Sequence, residues 1–181
     1  MSMRNIKILE AATQLFARYG VGKTTMNDIA REAGVARQTL YNTYPNKDEV
    51  LRAAIRLNIE TTHRTVMDAW ADASGLGEKL DIFFNAVPLT WYDMVQSSPE
   101  MAELLDGLHK VAKVEMDQAT VLWTEAFVDA LAQDGLDAAK RHGMADYIFS
   151  TAASAKHNAP DRATVETRLD MLKASVLALI G

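Results

Sequence analysis

The chain has 181 residues, of which 49% are hydrophobic and 24% charged, a composition that is ordinary for a globular protein. It contains no cysteine, which excludes disulfides, thiolate metal sites and a cysteine nucleophile and fits a reducing cytoplasm. No stretch approaches the roughly 18 charge-free apolar residues that a membrane helix needs, and the N-terminus lacks the layout of a signal peptide. We therefore expect a cytoplasmic protein without a membrane segment.

The net charge of −5 is unevenly distributed along the chain. Residues 1–52 carry eight Lys or Arg and five Asp or Glu, which gives this segment a charge of +3 and leaves −8 on the remainder. A basic N-terminal segment on an acidic body favours contact with DNA through that segment only. Because a segment of this length also reaches +3 by chance, the asymmetry alone is weak evidence.

Two helices are predicted at the N-terminus from the spacing of apolar residues. The first is predicted over Met3–Tyr19, and Gly20 follows it where a C-cap glycine belongs. The second is predicted over Met26–Ala33. Thr25 and Asp28 stand at its start with the spacing of a capping box, in which each side chain hydrogen-bonds the backbone amide of the other residue.

A tight turn separates the second helix from a third, which is predicted over Ala36–Thr43. Gly34 supplies the positive φ that the turn needs, and Pro45 ends the third helix. Leu40 is predicted to face the core. Two short helices joined in this way form a helix-turn-helix unit, whose second helix typically enters the major groove of DNA.

The rest of the chain is also predicted to be helical. Asn46 is expected to cap a long fourth helix, and the pattern shows neither internal repeats nor the alternation of a strand. The predicted fold is all-α, with a three-helix domain over residues 1–50 and a helical bundle over 51–181, about nine helices in total. The later helices are predicted over Lys47–Ala73, Glu78–Ser97 with a kink at Pro88, Pro99–Leu105, His109–Gln133, Leu136–His157 and Arg162–Ile180.

The stretch ILEAATQLFARYGVGKTTMNDIAREAGVARQTLYNTYPNKDEVL, residues 8–51, resembles the N-terminal domain of the tetracycline-repressor (TetR) family. It covers about a quarter of the chain, and the remainder is similar to the family only in length and helical character. Two departures occur: Ala36 stands where the family often has a serine that caps the third helix, and Thr43 where an aromatic ring is common. The matching residues are Ala11, Ala12, Leu15, Phe16, Gly20, Thr24, Thr25, Ile29, Ala30, Ala33, Gly34, Val35, Leu40, Tyr41, Tyr44 and Lys47.

Contacts with DNA are expected to be of two kinds, those that position the protein on phosphates and those that read bases. Thr25 and Lys47 stand at helix starts, where amides and a hydroxyl or ammonium suit phosphate, although a cap and a solvated lysine are the alternatives. Arg37 can reach guanine O6 and N7, and Gln38 can pair with adenine N6 and N7. The remaining expected contacts are Thr39 and Tyr41 on a thymine methyl or a phosphate, Asn42 as a second base reader, and Tyr44, mainly a packing residue, through its hydroxyl.

The resemblance implies a DNA-binding transcriptional regulator, a repressor released from a pseudo-palindromic operator by a small-molecule effector. It also implies a homodimer that pairs through its two C-terminal helices. Aromatic and methionine residues in 78–133 suit an effector pocket, but packed core is the alternative for each of them. Nearby acidic groups would favour a cationic ligand. The expected effector-binding residues are Phe84, Trp91, Tyr92, Met94, His109, Met116, Thr120 and Trp123.

Two other functions compete with this interpretation. One is a helix-turn-helix protein that binds DNA without an effector, and the other is an all-α enzyme. The enzyme is disfavoured because the sequence contains no G-x-S-x-G, P-loop or H-E-x-x-H motif, and its four histidines are scattered. No catalytic residue, metal site or cofactor is therefore expected.

Overall fold

Nine α-helices lie wholly in the part of the chain that the computed structural model describes, residues 1–102, 111–132 and 136–180. No strand occurs in these ranges, and the all-α prediction is confirmed. None of the described helices holds an apolar stretch long enough to cross a bilayer. The helices are α1 (Met3–Tyr19), α2 (Met26–Glu32), α3 (Arg37–Thr43), α4 (Lys47–Ala71), α5 (Leu76–Phe84), α6 (Thr90–Ser97), α7 (Lys113–Ala130), α8 (Ala138–Ser154) and α9 (Arg162–Ile180).

The predicted and observed helix bounds agree at α1 and α9 and differ by a few residues elsewhere. Helix α8 is shorter than the predicted Leu136–His157 because Asp137 caps its start and the chain turns after Ser154, before Asn158 takes a φ of 53°. The predicted helices Pro99–Leu105 and His109–Gln133 fall partly outside the described residues. Within the described ranges, residues 99–102 and α7 are helical.

The interruption predicted at Pro88 takes the form of a π-helical segment, Asn85–Leu89, which joins α5 to α6. Proline has no N–H to donate, so the regular α-helical ladder loses a hydrogen bond at this position. A widened turn with hydrogen bonds over five residues accommodates that loss. The Thr90 hydroxyl also donates to the Asn85 carbonyl, at 2.7 Å.

The chain forms two compact units, and each unit is built from two separate stretches of the sequence. The first unit contains residues 1–60 and the described part of 94–116, and the second contains residues 61–93 and those from 117 onward. Helix α4 begins in the first unit and ends in the second. The functional boundary predicted at residue 50 stays a prediction.

The core of the first unit is the junction of the three N-terminal helices. Helix α1 packs on α2, and α2 packs on α3. Leu40 of α3 is fully buried, as predicted from the sequence. Other residues of the first unit that are at most 4% exposed include Ile8, Leu9, Ala12, Phe16, Ile29, Ala30 and Val50.

The core of the second unit is a cluster of aromatic rings around Phe83. The Phe83 ring centroid lies 4.9 Å from those of Trp123 and Phe127, and Trp70 lies 5.2 Å from Phe127. Such edge-to-face and tilted arrangements stabilise aromatic pairs beyond the burial of their area. Helices α8 and α9 pack on each other, and their buried residues are Ala145, Ile148, Ala152, Val165, Leu169, Leu172 and Val176.

The uncapped start of α3 offers a test of this local structure. Ala36 is the N-cap residue, with an extended backbone, and no side chain hydrogen-bonds an amide there. A serine hydroxyl at this position can accept from the Thr39 N–H, so Ala36→Ser is expected to raise the free energy of unfolding by about 1 kcal/mol. Urea denaturation followed by circular dichroism measures this change. Ala36→Val, which has no acceptor, is the control, and an equal gain in both variants would contradict the capping account.

Candidate DNA interface

The start of α2 carries the capping box that the sequence predicted. The Thr25 hydroxyl accepts the Asp28 N–H at 3.2 Å, and the Asp28 carboxylate accepts the Thr25 N–H at 3.1 Å. Hydrogen bonds from Thr25, followed by the charge of Arg31 at 2.7 Å, hold the pKa of Asp28 below its usual value. The exposed Thr25 is therefore fixed at the helix terminus where a phosphate would bind.

The turn between α2 and α3 depends on Gly34, which has a φ of 66°. Its N–H donates to the Arg31 carbonyl at 3.2 Å, and the Val35 N–H donates to the Ala30 carbonyl at 3.0 Å. A side chain at this φ would be strained, so the predicted role of the glycine is confirmed.

The outer face of α3 carries the predicted base-reading residues. Arg37, Gln38 and Asn42 are exposed, whereas Thr39 and Tyr41 are half-buried. Leu40, on the opposite face, is fully buried. The structure therefore brings five of the eight predicted DNA contacts together on one seven-residue helix.

Two contacts order the side chains on this face of α3. The Gln38 amide donates to the Asn42 side-chain oxygen at 2.8 Å, and the Arg37 guanidinium lies 5.3 Å from the centre of the Tyr41 ring. Both pairs are one helical turn apart, so neighbouring readers support each other. Gln38 retains its carbonyl oxygen and a second N–H, the two groups that adenine recognition requires.

Lys47, expected on a phosphate, makes contacts inside the protein instead. Its ammonium donates to the Val21 carbonyl at 2.5 Å and to the Thr24 carbonyl at 3.0 Å. An ammonium has three N–H donors, so two of them are used on the loop between α1 and α2. The phosphate contact of Lys47 stays a prediction.

Tyr44 belongs to the core, as its predicted packing role requires. It is 9% exposed, and burial raises the pKa of its hydroxyl, while the nearby charge of Arg56 opposes this effect. The contact of the Tyr44 hydroxyl with a phosphate stays a prediction.

Sequence reasoning missed a group of charged contacts between α4 and residues 111–115 of the same unit. The Arg56 guanidinium lies 2.6 Å from the carboxylate of Glu115, which is only 5% exposed. Arg52 donates to the Val111 carbonyl at 2.8 Å. Since 59 residues separate the partners in each contact, no local pattern could have revealed them.

The described residues among those expected to bind an effector are divided between the two units. Phe84, Tyr92 and Trp123 are buried. Trp123 packs between Phe83, at 4.9 Å, and His63, at 5.0 Å, which is the core arrangement that the sequence left as the alternative. Of the others, Thr120 is in the second unit, Met94 and Met116 are in the first, and His109 lies outside the described residues.

Trp91 already has a cation against its ring. The Lys156 ammonium lies 5.5 Å from the ring centre and donates to the Ala153 carbonyl at 2.6 Å. Burial lowers the pKa of Lys156. A second cation at this ring would meet repulsion, which argues against the cationic ligand suggested by the nearby acidic residues.

The structure also contains a cavity that the sequence did not predict. It has a volume of about 130 Å³ and lies in the first unit. None of the expected effector-binding residues lines it. Its lining residues are Tyr19, Gly20, Gly22, Lys23, Pro99 and Glu100.

Comparison with known proteins places these N-terminal helices in a family. A family model described as bacterial regulatory proteins of the tetR family matches residues 8–54. The HTH-type transcriptional regulator YezE of Bacillus subtilis is 31% identical over 81 residues, which are 44% of this chain and 42% of that relative. Residues 8–54 are therefore similar to the tetR family of bacterial regulatory proteins. The chain's sequence match to YezE spans about two fifths of that relative's length.

The fold of the chain is that of solved TetR structures. A TetR transcriptional regulator from Legionella pneumophila superimposes with a TM-score of 0.68 at 20% identity, covering 100% of this chain and 99% of that one. FadR from Bacillus subtilis, solved in complex with stearoyl-CoA, has a TM-score of 0.57 at 18% identity, covering 97% and 96%. The similar proteins are transcriptional regulators rather than enzymes, as expected.

The exposed amide of Gln38 offers a test of base reading in this TetR-type domain. Gln38→Ala removes a bidentate partner for adenine, so we expect relaxed specificity at one base position in each half-site, with other positions unchanged. Binding to a panel of singly substituted sites measures the effect. Gln14→Ala, on the exposed surface of α1, is the matched control. A uniform loss of affinity for all sequences would identify Gln38 as a backbone contact instead.

Proposed function

We propose that this protein is a transcriptional repressor that binds a pseudo-palindromic operator as a homodimer and is released by a small-molecule effector. The observation that carries the proposal is the exposed row of Arg37, Gln38 and Asn42 on α3, with Leu40 buried behind it. A regulator of this kind acts in the cytoplasm, where the bacterial chromosome lies.

The chemistry of this row suits the major groove. A guanidinium and two amides provide the donors and acceptors that distinguish base edges, and the groove is wide enough to admit a helix. The exposed start of α2, which Thr25 caps, adds helix-terminal amides for a phosphate. The interface thus combines a reading helix with a positioning helix.

Selection of bound sequences from random double-stranded DNA tests the proposal. We expect one enriched motif with twofold symmetry, whose half-site centres are about one helical turn, or a multiple of it, apart. The control carries Arg37→Ala and Gln38→Ala, two exposed changes that leave the core intact. The absence of an enriched motif, or the same motif from the control, would contradict DNA reading by α3.

The proposed dimer rests on apolar side chains that α8 and α9 leave exposed. Met171 is 68% exposed, Leu179 62% and Leu177 38%. Tyr147 of α8 is 39% exposed, and its hydroxyl lies 3.4 Å from that of Ser175 on α9. Both helices already bury another face inside the chain, so this second apolar surface suits an interface with an identical copy.

Charge introduced on this surface should separate the protomers. The double change Met171→Glu and Leu179→Glu would place four carboxylates in the interface, and we expect a monomer at micromolar concentration in sedimentation velocity. Val121→Glu, at an equally exposed valine of α7, is the control and should leave the dimer intact. A monomeric wild-type protein, or a dimer of the double variant, would contradict this interface.

The proposed effector site rests on likeness to solved structures and on the ring-rich second unit. The FadR structure with stearoyl-CoA shows a ligand bound by a protein of the same fold. In this chain Phe84, Trp91, Tyr92 and Thr120 all lie in the second unit, and we assign them to the effector site, whereas Trp123 is part of the core. Helix α4 runs through both units and so provides a continuous element along which a rearrangement can reach the DNA-binding helices.

A protein that binds DNA without an effector is the competing function, and linked titrations separate the two. An effector must change operator affinity by a coupling free energy of about 1–3 kcal/mol, and the operator must change effector affinity equally. Candidate compounds are screened first for a change in the thermal midpoint and then titrated with and without operator. A compound that binds while leaving operator affinity unchanged would contradict effector control.

A further inference from the structure

The loop between α1 and α2, residues 20–25, is held by side chains rather than by regular secondary structure. Gly20 ends α1 with a φ of 80°, and its N–H donates to the Phe16 carbonyl at 2.9 Å. The hydroxyl of Thr24, which is 3% exposed, donates to the Gly20 carbonyl at 2.8 Å. Immediately after Thr24 comes Thr25, the N-cap of α2.

Lys47 supplies the rest of the support for this loop. Its ammonium contacts the carbonyls of Val21 and Thr24, one at each end of the segment that precedes Thr25. These hydrogen bonds are charge-assisted, and the half-buried position of Lys47 shields them from water. The first residue of α4 therefore restrains the chain at the point where α2 begins.

We propose that Lys47 is a positioning residue of the DNA interface, which acts through Thr25 and the α2 terminus and does not itself neutralise a phosphate. This inference rests on the proposed operator binding. Movement of the Lys47 ammonium to a phosphate would leave two loop carbonyls without this donor. Retaining both bonds instead keeps Thr25 fixed for the phosphate that meets α2.

The salt dependence of operator binding distinguishes the two roles of Lys47. Removing one phosphate-neutralising side chain lowers the magnitude of the slope of log affinity against log salt by about 0.9. For Lys47→Met, which keeps the aliphatic stem, we expect operator binding at least about tenfold weaker with an unchanged slope, since the loss of a charge-assisted hydrogen bond is of this size. A slope reduced by about 0.9 for each bound protomer, or an unchanged affinity, would overturn the proposal.

A double-mutant cycle with Thr25→Ala tests whether Lys47 acts through Thr25. We expect the losses of operator affinity from Lys47→Met and Thr25→Ala to be strongly non-additive, because both variants remove the same contact to phosphate. Lys23→Met removes a charge from an exposed position of the same loop and should combine additively with Thr25→Ala. Additive losses for Lys47 would overturn the positioning role.

Amide hydrogen exchange tests the loop in the free protein, without any DNA. Lys47→Met should accelerate exchange at residues 21–25, whereas Lys23→Met should not, with urea denaturation reporting global stability in parallel. Unchanged exchange in Lys47→Met, or equal acceleration in both variants, would overturn the proposal. A wild-type protein that binds no selected operator would instead contradict the proposed function. The exchange experiment would still test the role of Lys47 in the loop, because it is done without DNA.

A structure of the wild-type protein on its selected operator provides the second measurement if Lys47→Met does not fold. We expect the Lys47 ammonium within hydrogen-bonding distance of the Val21 and Thr24 carbonyls, with no phosphate oxygen within about 3.5 Å of it. A phosphate oxygen within about 3.5 Å of the ammonium, whether or not the carbonyl contacts remain, would overturn the proposal.

Discussion

The burial of Leu40 is the interaction on which the DNA-binding geometry depends. Helix α3 has only seven residues, and isolated helices of that length are not stable in water. Its single fully buried side chain anchors it against the N-terminal core, and Gly34 sets the angle at which it leaves α2. The outward direction of Gln38 follows from this anchor, because a residue two positions before Leu40 lies on the other side of the helix.

A second constraint is that α2 must begin at a defined point. The capping box fixes Thr25 locally, while Thr24 and Lys47 fix the loop that leads to it. Lys47 also begins α4, so one side chain connects the starts of two helices of the first unit. The ion pair between Arg56 of α4 and Glu115 adds a further contact within the same unit. Positioning at the interface therefore depends on contacts within the whole first unit.

The sequence revealed those features that arise from neighbouring residues. The capping box, the positive φ of Gly34, the burial of Leu40 and the absence of a cap at Ala36 each follow from a few adjacent side chains, and the structure has all four. Contacts between distant residues could not be read in this way. The carbonyl partners of Lys47 are 23 and 26 residues away, and Trp123 packs on Phe83 from another helix. Periodicity marks such side chains as apolar or charged but does not identify their partners.

The central claim is that α3 reads base sequence, and the ratio of specific to non-specific affinity tests it most directly. Binding to the selected operator and to unrelated DNA of equal length is measured at physiological salt. The account predicts operator binding at least about 10³-fold tighter, and a ratio that falls towards one when Arg37 and Gln38 are both replaced by alanine. A wild-type ratio near one, or a high ratio that survives both substitutions, would contradict it.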